Sequence, residues 1–133
     1  MKTSLKLAAL SLLILSLTAC NDGGPDYPIG EGGWFVSLEV GRIPNAGEGF
    51  PVSINIDAQA INLSDGSRPT DGSVLRFESS GGSFENGEAQ IDIGMRSGAG
   101  GSVLQLDRPG RYEISAEYLD ESCVTSTIID VGI

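Results

Sequence analysis

The chain has 133 residues, 18 acidic and eight basic side chains, and no histidine. A formal charge of −10 disfavours binding to nucleic acid or to bare anionic lipid. Without histidine the commonest general base and the commonest transition-metal ligand are missing, and with two cysteines a Cys/His zinc site is excluded.

The first element is a basic start, Lys2 and Lys6, followed by an apolar stretch from Leu7 to Leu17. That layout is a secretory signal, too short to span a bilayer. It ends in Leu17-Thr18-Ala19-Cys20, which resembles a bacterial lipobox. The resemblance implies a signal peptide over 1–19, with Cys20 as the lipidation site and the first residue of the mature chain. Both lysines lie in the signal, so the mature chain carries six arginines against all 18 acidic residues. Asn21, rather than aspartate, follows the cysteine, which points to the outer membrane if the source is Gram-negative. The membrane partner is then reached through an acyl anchor at Cys20.

Residues 20–32 read as a flexible tether, with four glycines and two prolines. Thirteen extended residues reach at most about 45 Å, which keeps the domain near its membrane.

From residue 33 the apolar period becomes two. Trp34, Val36, Leu38 and Val40 form one stripe. Phe50, Val52, Ile54, Ile56 and Ala58 form the next. Ala89, Ile91, Ile93 and Met95 form a third, and Tyr112, Ile114, Ala116 and Tyr118 a fourth. Such alternation marks half-buried strands. Shorter runs at Val74–Phe77 and Val103–Leu106, and the β-branched run Cys123–Val131, complete the set. Asp65-Gly66, Asp71-Gly72, Gly81-Gly82, Asn86-Gly87 and Pro109-Gly110 fall between them as turns, with Asn86-Gly87 suited to a type I′ hairpin. About seven strands with regularly spaced turns predict a single all-β domain over 33–133, a β-sandwich.

Leu106-Asp107-Arg108-Pro109-Gly110-Arg111-Tyr112 has the form of a tyrosine corner, in which Tyr112 bonds backward to the preceding loop and Gly110 lets the chain turn. The alternative is an ordinary core tyrosine after a Pro-Gly turn. Asp71-Gly72-Ser73-Val74-Leu75-Arg76-Phe77, the Gly-rich stretch Ser80–Ala89 and Pro109–Ala116 together resemble bacterial immunoglobulin-like domains of the invasin/intimin type. The likeness covers about residues 33–133 and implies an immunoglobulin-like sandwich of the cell envelope. Family members usually stand in tandem as spacers, so the resemblance implies a fold without implying adhesion.

Serines are plentiful, yet no histidine can activate one. Asp57, Asp65 and Asp71, and the pair Glu85 and Glu88, are read as solvated turn residues ahead of glycosidase acids. The three aspartates are also the candidates for a calcium site around segment 59–72. Phe35 faces away from the Trp34 stripe and marks a partner patch, a contact with the lipid surface, or packing under a terminal segment. Cys123, left alone once Cys20 is acylated, reads as a small, partly buried apolar residue or as an intermolecular disulfide.

The expected function is therefore a lipid-anchored, non-enzymatic envelope protein with a binding or structural role. An accessory subunit of a secretion or fibre assembly and a carbohydrate-binding lipoprotein are the alternatives. The expected partner is an envelope protein or a glycan, not nucleic acid. Contacts are expected through segment 59–72 or the final strand, toward a basic patch.

Overall fold

The computed structural model describes residues 14–20, 33–45 and 47–132, the first of these segments as backbone. The predicted signal before Ile14 and the predicted tether over 21–32 lie outside the described residues. The strands are β1 (Ile14–Cys20), β2 (Trp34–Val40), β3 (Val52–Asn62), β4 (Val74–Ser79), β5 (Gln90–Gly94), β6 (Ala99–Leu106), β7 (Gly110–Tyr118) and β8 (Cys123–Val131). A 3-10 turn, Leu119–Glu121, links the last two and ends on Ser122 in the left-handed region.

All seven strands expected from the alternating stripes form. They build two antiparallel sheets, β2-β3-β6 and β5-β4-β7-β8, stacked as one β-sandwich. β1 adds to the first sheet on the free side of β2, where the sequence reading places no strand. The reason is physical ambiguity. The short, mostly apolar run Ile14–Cys20, with Ser16 and Thr18 within it, suits an exported apolar segment and a sheet edge equally well.

Period-two alternation sends one face of each strand inward. Val36, Leu38 and Val40 of β2 meet Ile54, Ile56, Ala58 and Ala60 of β3 and Leu104 and Leu106 of β6. Leu75, Phe77, Ile114, Ala116, Ile129 and Val131 supply the opposing face. The second stripe runs further than expected, to Asn62, and Phe50 falls before the strand and packs on the core from outside it. Trp34 is half-buried and meets Tyr118 edge-on, with ring centroids 5.2 Å apart. Such a contact is favourable beyond its area.

The link between β4 and β5 is not a two-residue type I′ turn. Gly87 has φ +83°, but Asn86 does not share a positive φ. Instead the chain makes a longer loop, in which Gly87 N–H donates to Phe84 C=O at 2.9 Å. The Asn86 side chain bonds Glu88 N–H and Gln90 C=O. Phe84 is thereby turned into the core, 6.3 Å from the Phe77 ring.

The tyrosine corner is present. Tyr112 O–H donates to the Arg108 carbonyl at 2.6 Å, and the ring closes one end of the core. Gly110 is not the glycine this corner needs. It has no positive φ, and a Cβ there would touch the ring at an ordinary 3.7 Å. The close approach comes from Gly81, where a Cβ would lie 2.8 Å from Tyr112 Cε1. Tyr112→Phe should cost about 1–3 kcal/mol, because the Arg108 carbonyl loses its partner. Urea unfolding with an unchanged slope checks this, and a neutral result would show the hydroxyl contributes nothing.

Burial, and then the charge of Asp120, pushes the Tyr118 phenol above its ordinary 10.0. The folded state therefore holds this proton more tightly than the unfolded chain. The contribution is intact below pH 10 and is lost as pH rises through the folded value. Alkaline unfolding followed by Trp34 fluorescence should start above pH 10, and Tyr118→Phe should move its onset upward.

Candidate functional site

Two surfaces carry exposed apolar side chains on the outer face of a sheet. The first is the outer face of β8, an edge strand of its sheet. Val124 and Ile128 are 47% and 58% exposed, two of the three large apolar side chains that stand out among the described residues. They are registered with Glu117 and Glu113 of β7. Next to them Arg111 Nε donates to Asp130 Oδ1 at 2.8 Å. An apolar pair bordered by two carboxylates suits a ligand strand with apolar and basic residues in alternation.

The second surface is the outer face of β2 and β3. Phe35, Ser37, Gln59, Ile61 and Leu63 line a shallow, mostly apolar recess of about 220 Å³. Leu63, 44% exposed, stands at its rim. Phe35 does face away from the buried stripe, as expected, and it packs against its own sheet. Below the recess lies an unfavourable pairing. Glu39 of β2 is directly opposite Asp57 of β3, and both are exposed. Like charges so placed repel. The ion pairs among the described residues are Arg42–Glu48, Arg76–Asp92 and Arg111–Asp130, so none reaches either carboxylate.

The segment after β3 is held in place by polar contacts. Asn62 Oδ1 accepts from Ser64 N–H at 2.9 Å, and Asp65 Oδ1 accepts from Ser67 N–H at 2.9 Å. The Ser67 contacts hold the Asp65 carboxyl below its ordinary range. Arg68 donates to the Ser97 carbonyl at 3.2 Å, and Ser97 N–H donates to Asp71 Oδ1 at 2.9 Å. The chain thus binds itself to the turn before β6.

These roles scatter the calcium candidates. Asp65 caps a turn, Asp71 anchors a neighbouring turn and Asp57 lies on the outer face of β3. Among the described residues no three acidic or cysteine side chains gather as ligands. The fold does not bring Asp57, Asp65 and Asp71 together as ligands: they are near in sequence, but Asp57 lies within β3 while Asp65 and Asp71 each bond a different turn. Glu85 accepts from Ser102 Oγ at 3.1 Å, which gives it a structural partner across the loop. Arg76 holds the Asp92 carboxyl low through paired bonds of 2.8 and 3.1 Å, and Arg42 does the same for Glu48.

Cys123 needs a correction. It is fully buried and disulfide-bonded, not a lone, partly buried thiol. Cys20 is the sequence's other cysteine. With two cysteines in the sequence, acylation of the Cys20 sulfur would leave Cys123 no disulfide mate in the same chain. The fold instead ends β1 beside the start of β8. Cys20 is registered with Trp34, and the Trp34 carbonyl lies 3.8 Å from Cys123 Sγ.

Sequence reasoning pointed to segment 59–72 and to the final strand, and exposed apolar residues lie in both. It missed the recess, because Phe35 and Ile61 are 26 positions apart and become neighbours only through the β2–β3 register. No protein-family description, no curated protein and no solved structure matches this chain.

Proposed function

We propose that this chain is a lipid-anchored envelope protein whose immunoglobulin-like domain serves a non-enzymatic binding or structural role. One observation carries the anchor: Leu17-Thr18-Ala19-Cys20 directly after a basic start and a short apolar stretch. The arrangement of the sandwich and the tyrosine corner at the entry to β7 support the immunoglobulin-like reading. The binding role draws support from Val124 and Ile128, which keep large apolar side chains in water beside Glu113 and Glu117. A partner strand with basic residues fits that surface, which favours an envelope protein over a glycan.

A sulfur in a thioether cannot also be in a disulfide. Lipidation of Cys20 and its pairing with Cys123 are therefore exclusive states of one atom. Peptide mapping of the membrane-extracted protein without reduction separates them. The expected product is a diacylglyceryl group on an N-terminal Cys20, absent from Cys20→Ala, which should stay unprocessed. A Cys20–Cys123 cross-linked peptide as the main species would overturn the anchor. Crosslinking in intact cells should then capture a partner through β8, and Ile128→Thr, which keeps a β-branched residue opposite Glu113 and adds no charge, should weaken that capture at least tenfold with little loss of stability. An unchanged yield would remove β8 from the binding surface.

A further inference from the structure

Resting on the proposed processing at Cys20, we propose that the mature protein accepts, along the outer edge of β2, an extended strand donated by another polypeptide. In the full chain that edge is occupied. β1 pairs antiparallel with all of β2, from Ile14 opposite Val40 to Cys20 opposite Trp34. Cleavage before Cys20 removes every residue of β1 except Cys20 itself.

The edge so opened is a poor one to leave in water. Val36, Leu38 and Val40 are fully buried, and β1 also lies against β8 of the facing sheet, where Thr125, Ile129 and Val131 are buried. Loss of β1 uncovers apolar side chains and a row of backbone N–H and C=O groups at the same place. Edge strands are ordinarily protected by lysine, proline or a bulge. β2, Trp34-Phe35-Val36-Ser37-Leu38-Glu39-Val40, contains neither residue and pairs without a bulge.

By composition, the residues between Cys20 and β2 are poor strand formers. Between Cys20 and β2 stand Gly23, Gly24, Pro25, Pro28, Gly30 and Gly32. Proline lacks the N–H a ladder needs, and glycine weakens a strand. The proposed occupant is therefore a segment of another chain.

The register of β1 specifies what fits. Small and β-branched residues, Ser16 and Thr18, are registered with the large buried Leu38 and Val36. Leu17 and Ala19 are registered with Ser37 and Phe35, which line the apolar recess with Ile61 and Leu63. Leu15 is registered with Glu39, and Glu39 is itself opposite Asp57. A donor with lysine or arginine at that position would relieve the like-charge pair. The donor is thus a proline-free segment of about seven residues that runs antiparallel to β2. It carries an aliphatic residue opposite Ser37 and a basic one opposite Glu39.

The test uses the processed lipoprotein in detergent, with its intact mass measured first. The probe is a synthetic peptide of residues 14–20 with Cys20→Ser, and a second peptide with Leu15→Lys added. Binding is read from Trp34 fluorescence and from hydrogen exchange of the β2 amides. The expected result is saturable binding, at least tenfold slower exchange across β2, and at least threefold tighter binding of the Leu15→Lys peptide. A peptide N-methylated at alternate residues should not bind. No saturable signal up to millimolar peptide, or equal binding of the N-methylated peptide, would overturn the strand-accepting edge. A concentration-dependent dimer with β2 already protected would assign the edge to a second copy and overturn the proposal. A mass showing that residues 14–19 are retained would overturn it at the earlier step, the processing, before any peptide is added.

Discussion

Phe77→Ala should lower the unfolding free energy by about 3–5 kcal/mol, the cost of removing a buried ring and leaving a cavity. Phe77 is fully buried in the middle of β4, registered with Ile91 on one side and Ala116 on the other. The small Ala116 gives the ring its space, and Phe84 closes over it from the 80–89 loop. Backbone ladders on both sides of β4 prevent collapse into the void, so the loss should lie in the upper part of that range. The midpoint of thermal unfolding should fall by on the order of 15–25 °C for a domain of this size. Val124→Ala, on the exposed face of β8, should change stability by less than about 0.5 kcal/mol. A loss below about 1 kcal/mol at Phe77 would mean that the two sheets close without the ring.

Gly82→Ala should cost about 2–5 kcal/mol, from backbone strain and a collision together. Gly82 has φ +79°, and a Cβ there would lie 2.5 Å from both the Gln105 carbonyl oxygen and Leu106 Cδ2. The neighbouring backbone cannot retreat easily. Ser83 and Gln105 exchange two bonds of 3.0 and 2.8 Å that tie this loop to β6. Gly87→Ala separates the two contributions, because Gly87 has φ +83° but no atom within 4 Å of its would-be Cβ. It should lose about 1–2 kcal/mol, from strain alone. Equal losses at both positions, by urea unfolding, would show that the approach of the loop to β6 is looser than described.

Both predictions concern elements whose existence was legible in the sequence and whose partners were not. The stripe at Val74–Phe77 announced a strand. That Phe77 would lie between Ile91 and Ala116 depends on a strand order, β5-β4-β7-β8, in which sequence neighbours and spatial neighbours differ. Gly81-Gly82 was readable as a turn. Its function is to let the chain pass close to Tyr112 and to β6, and that is a distance across the sandwich, which local pattern does not carry. Gly110, in contrast, stood in the expected motif and is not sterically required there.

The same division holds for the surfaces. Segment 59–72 and the final strand could be singled out from composition, since both place apolar residues among polar ones. Phe35 and Ile61 become one recess only through the β2–β3 register. The three aspartates grouped for calcium are the converse case. They are close in the chain, and the fold separates them.

By itself the sequence determined the class of the protein: a strongly acidic, all-β sandwich of about seven strands marked by alternating apolar residues. Those are properties of period, composition and turn residues, which act within a few positions of the chain and need no partner to be read. The tertiary structure alone decided that Tyr112 reaches Arg108, that Gly81 and Gly82 are the crowded glycines, that Cys123 is disulfide-bonded, and that Ile14–Cys20 forms a strand on β2. Each of these is a contact between distant segments. Its energy comes from burial and pairing after the two sheets have closed, so no single stretch of residues carries its sign.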